Sequence, residues 1–121
     1  MNTQYKEVAI KVTANVLYNR MKGDSSQSVK DIASYSAAQA LNTLYLQDMI
    51  RPALPAMFKA NVQNPSMQIV ENLMVDLIGV GASFYVIENY VRKTNVSVME
   101  TAEQVLASDV ALEALKKINM L

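Results

Sequence analysis

Apolar positions recur at helical spacing along nearly the whole chain, and polar punctuation cuts that pattern into four segments. In the first, Tyr5, Val8, Ala9, Val12 and Val16 share a stripe that Ile10, Leu17 and Met21 widen. Glu7 precedes Lys11 by one helical turn, the favourable order for a side-chain pair. Gly23 offers a left-handed stop, and Asp24-Ser25-Ser26 reads as a polar joint. The spacing predicts an amphipathic helix over roughly 3–22.

The second segment opens at Ser28 with Asp31 placed to complete a capping box, and Pro52 sets its end near residue 51. Ala33, Ala37, Ala40 and Leu41, then Leu44 and Tyr45, make the predicted inner face, and Asp48 and Arg51 are spaced to pair. Pro52, Pro55 and Pro65 break up a connector over 52–65, where Ala56-Met57-Phe58-Lys59 suits one apolar turn over a core edge. Asn64-Pro65 is a helix-opening pair and starts a third segment that runs to about 93. The last segment, about 98–119, has a second capping signal in Ser97 and Glu100. Its apolar face passes from Val98, Ala102, Val105 and Leu106 to Val110, Ala111, Ala114 and Ile118, which predicts a kink near Ser108. The expected fold is all-α, about four helices in one domain over 1–121.

Residues 69 to 91 are the most apolar of the chain and have the length of a bilayer span, about 20 residues. Ten strongly apolar residues contribute roughly −4.5 kcal/mol on an insertion scale, and Asp76 near the centre returns about +3. Glu71 and Asn72 bring the sum close to zero, so a lone span is marginal. At about 100° per residue, Asn72, Asp76, Gly79, Ser83 and Tyr90 fall on one narrow stripe, opposite Leu73, Leu77, Val80, Phe84 and Val91. Gly79 and Ser83 form a small-xxx-small pair, and this stripe is the predicted helix-packing interface. Asp76 then reads as a carboxylate at a helix contact, bonded to a Ser, a Tyr or an arginine such as Arg51. If the segment spans, Arg92-Lys93 puts its C-terminal end on the positive-inside face.

Composition removes much chemistry. The 121 residues contain no Cys and no His, which excludes disulfides, thiolate or imidazole metal sites and His-based acid–base catalysis. Eleven basic residues balance eleven acidic ones, so nothing favours nucleic acid. Charged residues make up 18% of the chain against about 25% in average proteins, and ten Asn and seven Gln take their place. Three Gly and three Pro leave little chain for turns. Gly79-Val80-Gly81 is not a phosphate loop, and Glu71, Asp76 and Glu88 do not line one helix face as a carboxylate pair would. The sequence predicts a non-enzymatic protein with no catalytic residues, no cofactor, no metal and no small-molecule substrate. Met1 to Asn15 hold no signal-peptide run, being interrupted by Lys6, Glu7 and Lys11.

In layout alone, a short chain free of His and Cys with one apolar helix among capped amphipathic neighbours resembles the small membrane proteins of icosahedral viruses that carry a lipid layer under the capsid. That resemblance implies a structural role in a virion membrane, and no functional residue is carried over from it. Two readings follow. In the first, the chain is a structural or assembly protein that is membrane-associated through 69–91 and packs against copies of itself or a protein shell. In the second, it is a soluble, cytoplasmic four-helix adaptor or assembly subunit with 69–91 as its buried central helix. Both predict self-association, because so little charge leaves apolar surface uncovered.

Overall fold

The computed structural model describes residues 3–23, 28–61 and 63–118, and it is all-helical, with no strand among them. Four helices form the fold. The first is Thr3–Met21. The second begins as Val29–Leu41, passes through a π-helical turn, Asn42–Leu46, and ends in Gln47–Ala53. The third is Met67–Val86, continued by a π-helical turn, Ile87–Val91. The fourth is Val98–Lys117. A single 3-10 turn, Ala56–Phe58, sits in the connector.

Paired residues fix an up-down-up-down arrangement. Between the second and third helices, Arg51 meets Asn72, Asn42 meets Asp76, and Tyr35 stacks edge-on against Phe84, so the two run antiparallel. Between the first and fourth, Glu7 meets Lys116, Asn15 meets Gln104, and Lys22 meets Glu103, again antiparallel. The first also packs on the second, and the third on the fourth, which closes a four-sided bundle.

Local signals place most helix ends. Ser28 accepts from the Asp31 N–H while the Asp31 carboxylate accepts from the Ser28 N–H, a complete capping box. Ser97 caps the fourth helix through the Glu100 N–H. Gly23 ends the first helix at φ 95°, a left-handed conformation that costs a residue without Cβ very little. The Asp24-Ser25-Ser26 joint and residue 119 lie outside the described residues. Pro52 sits inside the last turn of the second helix, which runs on to Ala53 rather than stopping at 51. Asn64 accepts from the Ser66 hydroxyl in a turn, so the third helix starts at Met67, later than the Asn64-Pro65 pair suggests.

The interior differs from the expected one, because polar residues occupy it. A small apolar layer of Tyr35, Ala38, Val80 and Val105, flanked by Val12, Leu77, Phe84 and Ile87, lies at the centre. Around it the helices bury Asn15, Asn19, Ser34, Gln39, Asn42, Asp76, Ser83, Thr101, Gln104, Ser108 and Asp109. Hydrophobic periodicity therefore mislocates three faces. On the second helix Ala33, Ala37 and Leu41 are exposed, while Ser34, Ala38 and Asn42 face in. On the first, Tyr5, Ala9 and Leu17 point outward, and the seam follows Lys11, Asn15 and Asn19. The fourth helix is continuous. Its buried stripe, Thr101, Gln104, Val105, Ser108, Asp109 and Leu112, keeps helical spacing throughout, so the predicted kink at Ser108 is absent. Met57 is exposed and Phe58 half-buried in the connector turn.

Candidate functional site

Each helix contributes one polar side chain to a charged layer beside the apolar centre. Lys11 Nζ donates to Asp76 Oδ2 at 2.6 Å and lies 3.8 Å from Asp109 Oδ1. Asn42, the first residue of the π-helical turn, donates its amide to Asp76 Oδ1 at 3.1 Å. Asp76 thus has Lys11 and Asn42 as partners, not Arg51. Arg51 instead pairs with Glu71 and donates to Asn72 Oδ1 at 2.9 Å. Its guanidinium and the Ala60 N–H outweigh desolvation and hold the Glu71 carboxyl below the usual range. The sequence-adjacent pairs Glu7–Lys11 and Asp48–Arg51 are replaced by these long-range ones. A buried charge left without a partner is strongly destabilising, so these interior ions need partners on other helices.

Asp109 is the distinctive group. Burial, then its hydrogen bond to Asp76 and the negative charge there, push its carboxyl up to about 9. It is therefore protonated at neutral pH, and its Oδ1 has no hydrogen-bond partner. Burial lowers Lys11, but Asp76 and Asp109 outweigh it and the amine stays above its ordinary value. Lys11, Asp76 and Asp109 line the inner end of a cavity of about 450 Å³, walled by Ile69, Leu73, Val110 and Leu112. At its mouth Lys116 bridges Glu7 at 2.7 Å and Glu113 at 3.8 Å.

A second polar layer lies further along the same seam. Asn15 donates to Gln104 Oε1, Gln104 donates to Asn19 Oδ1 at 2.7 Å, and Asn19 donates to Asn15 Oδ1 at 3.4 Å, a closed ring of three amides. Next to it the Tyr35 hydroxyl meets Ser108 Oγ at 2.6 Å and donates to the Gln104 carbonyl. Burial holds the Tyr35 phenol far above its ordinary value, so it stays neutral.

Of the predicted interface residues, Asn72, Asp76, Gly79 and Ser83 do face neighbouring helices. Gly79 lies against Asn42, whose side chain occupies the space a Cβ would take, so the small residue admits a side chain of the second helix. Tyr90 is 71% exposed and takes no part. The π-helical turn from Ile87 adds a residue to that turn, which advances the stripe and buries Glu88, bonded to Arg92 and Thr94. Sequence reasoning missed Lys11, Asn42 and Asp109. One signal marks two of them: each is the single charge in a long uncharged stretch of its helix, 8–19 for Lys11 and 104–112 for Asp109, and Asp76 has the same setting over 72–87.

Among the described residues no group of three or more His, Cys, Asp or Glu gathers to hold a metal ion. No protein-family model, no curated protein and no solved structure matches this chain.

Proposed function

We propose that the protein is a non-enzymatic structural or assembly subunit that seats the uncharged waist of its bundle, the third helix foremost, against a lipid bilayer. The observation that carries this reading is the distribution of charge. Lys11, Asp76 and Asp109 are the only charged residues midway along the helices, and all three point inward and contact one another. The other described charges gather towards the two ends. Between them the third helix exposes Ile78, Ala82 and Val86, and the second exposes Ala37, Leu41, Leu44 and Tyr45. A polar interior behind an uncharged exterior reverses the usual arrangement of a water-soluble bundle.

Dimensions favour seating over crossing. At about 1.5 Å per residue, the uncharged stretch is roughly 25 Å between Glu71 and Glu88 but only about 15 Å between Glu103 and Glu113. The hydrocarbon layer measures about 30 Å. Met67–Val91 is long and apolar enough to cross alone, and 44% of its most apolar window is buried in the bundle. Leaving the bundle would strip Asp76 of Lys11 and Glu71 of Arg51, a cost that a marginal insertion energy does not offset. The layout likeness to small viral membrane proteins extends this reading to a lipid layer beneath a protein shell, with copies of the chain or shell proteins as neighbours.

Flotation of the full chain with phosphatidylcholine vesicles tests the proposal: the protein should rise with the lipid and leave it in detergent. A protein that stays at the bottom of the gradient, monodisperse without detergent, overturns it. The buried share of the third helix and its internal ion pairs favour a second reading, a soluble assembly subunit whose waist packs on copies of itself. That reading expects a mass in multiples of 13.4 kDa by light scattering and no flotation.

A further inference from the structure

The sequence points to no small-molecule ligand, yet the folded chain assembles a cavity with converging polar groups at one end. We propose that this cavity binds a small protonated amine with an apolar body, its ammonium group docked on Asp109 and Asp76 and its hydrocarbon along Ile69, Leu73, Val110 and Leu112. The inference does not depend on the membrane reading.

Three observations carry it. First, the volume of about 450 Å³ is in the range of small-ligand pockets, and Ile69, Leu73, Val110 and Leu112 give this open cleft an apolar side. Second, Asp109 is 6% exposed and its Oδ1, 3.8 Å from Lys11 Nζ, accepts no hydrogen bond; Asn42 Oδ1 is a second open acceptor in this layer, and of the two residues Asp109 is the one that lines the cavity. Buried acceptors are almost always satisfied, so an open one marks a position where a donor belongs. Third, Asn42 steadies Asp76 from a π-helical turn, a local irregularity frequent at functional sites.

Charge balance selects the ligand class. With Asp109 protonated, Lys11, Asp76 and Asp109 sum to zero. When an ammonium ion binds, the Asp109 carboxyl releases its proton to solvent, and two cations then face two carboxylates, again zero. A carboxylate ligand would instead leave a net negative charge beside Asp76. An alcohol brings no charge, so it would leave Asp109 protonated and form hydrogen bonds without an ion pair. The groups that face Asp109 are Lys11 on the first helix, Tyr35 on the second, Asp76 on the third and Glu113 on its own helix. Around the mouth, the charges of Glu7 and Glu113 balance those of Lys116 and Lys117, and Glu71 balances Arg51.

The test uses the full chain and three matched probes: 4-phenylbutylamine, 4-phenylbutanol and 4-phenylbutanoate. Titration calorimetry at pH 6, 7 and 8, in buffers of different ionisation enthalpy, should give an amine affinity at least tenfold above that of the alcohol, with the acid weakest. About one proton should leave per amine bound at pH 7, and affinity should rise roughly tenfold per pH unit over that range. Asp109→Asn keeps the shape of the protonated acid and should lose at least tenfold together with the pH dependence. Val110→Trp, at a residue 63% exposed and so tolerant of bulk, should block the cavity and abolish binding in a folded protein. The proposal is overturned if the amine fails to bind, if alcohol or acid binds as tightly, if no proton leaves, or if Val110→Trp binds the amine like the parent.

Discussion

Two polar layers lie along one seam of this bundle, and they solve the burial of polar groups differently. The amide ring of Asn15, Asn19 and Gln104 closes on itself: each side chain donates once and accepts once within the ring. The charged layer does not close. Lys11 and Asn42 both serve Asp76, while Asp109 keeps an oxygen without a hydrogen-bond partner and faces a cavity. A closed ring of neutral groups specifies which helices pack and in what register. An open layer holding formal charge is costly to bury and retains unused bonding capacity, which marks it as the site.

Removing the cation should break that contrast most sharply. Lys11→Met leaves Asp76 buried without its ion partner and should cost about 3–5 kcal/mol in urea unfolding. The combined change Lys11→Met, Asp76→Leu and Asp109→Leu removes the whole layer and should recover most of that loss. A single change that proved neutral would mean that the layer is solvated rather than buried.

The pH dependence of stability separates the layers next. Asp109 has a folded pKa of about 9 against about 4 when unfolded, so the folded state holds the extra proton. Its contribution is therefore complete below about pH 4 and is lost progressively as pH rises towards 9. Asp109→Asn should gain on the parent over that window, by up to about 1.4 kcal/mol per pH unit. Substitutions in the amide ring should shift stability equally at every pH. Parallel curves for Asp109→Asn and the parent would remove the raised acid from the account. Lys11 acts in the same sense at higher pH, stabilising below its unfolded value and ceasing to do so above its raised folded one.

Opening the ring should cost less than removing the cation. Gln104→Leu orphans the Asn15 donor and the Asn19 acceptor, for about 1–3 kcal/mol. Gly79→Ala, between the layers, should cost about 1–3 kcal/mol by forcing the Asn42 side chain away from Asp76. Adding Asn42→Ala should relieve the collision, so the two changes should couple in a double-mutant cycle, and strict additivity would show that nothing is crowded there.

The helices were legible because their signals are local: the Ser28–Asp31 box, the Ser97 cap and the Gly23 stop act within one turn. The faces were not, since a reading that sends apolar residues inward puts Leu41 in the core and Asn42 outside, and the fold does the reverse. Asp76 stood out from its apolar surroundings, but its partners come from helices far away in sequence, and no spacing rule joins Lys11 to Asp76 or Asp109. Tyr90 was misplaced because a π-helical turn changes the period on which the wheel relies.

The smallest effect on stability tests the exterior. Ile78 and Val86 are 43% and 49% exposed on the third helix. Ile78→Lys with Val86→Lys should change unfolding energy by less than about 0.5 kcal/mol each, as surface substitutions do. The same pair places two charges where the lipid reading puts hydrocarbon, at about 2.5–3.5 kcal/mol each on an insertion scale. Flotation should then fall sharply while the melting curve hardly moves, and Lys11→Met should show the opposite order of effects. If the double lysine variant floated like the parent, the waist would not be the surface that meets lipid, and the inward charges would serve only the packing of the bundle.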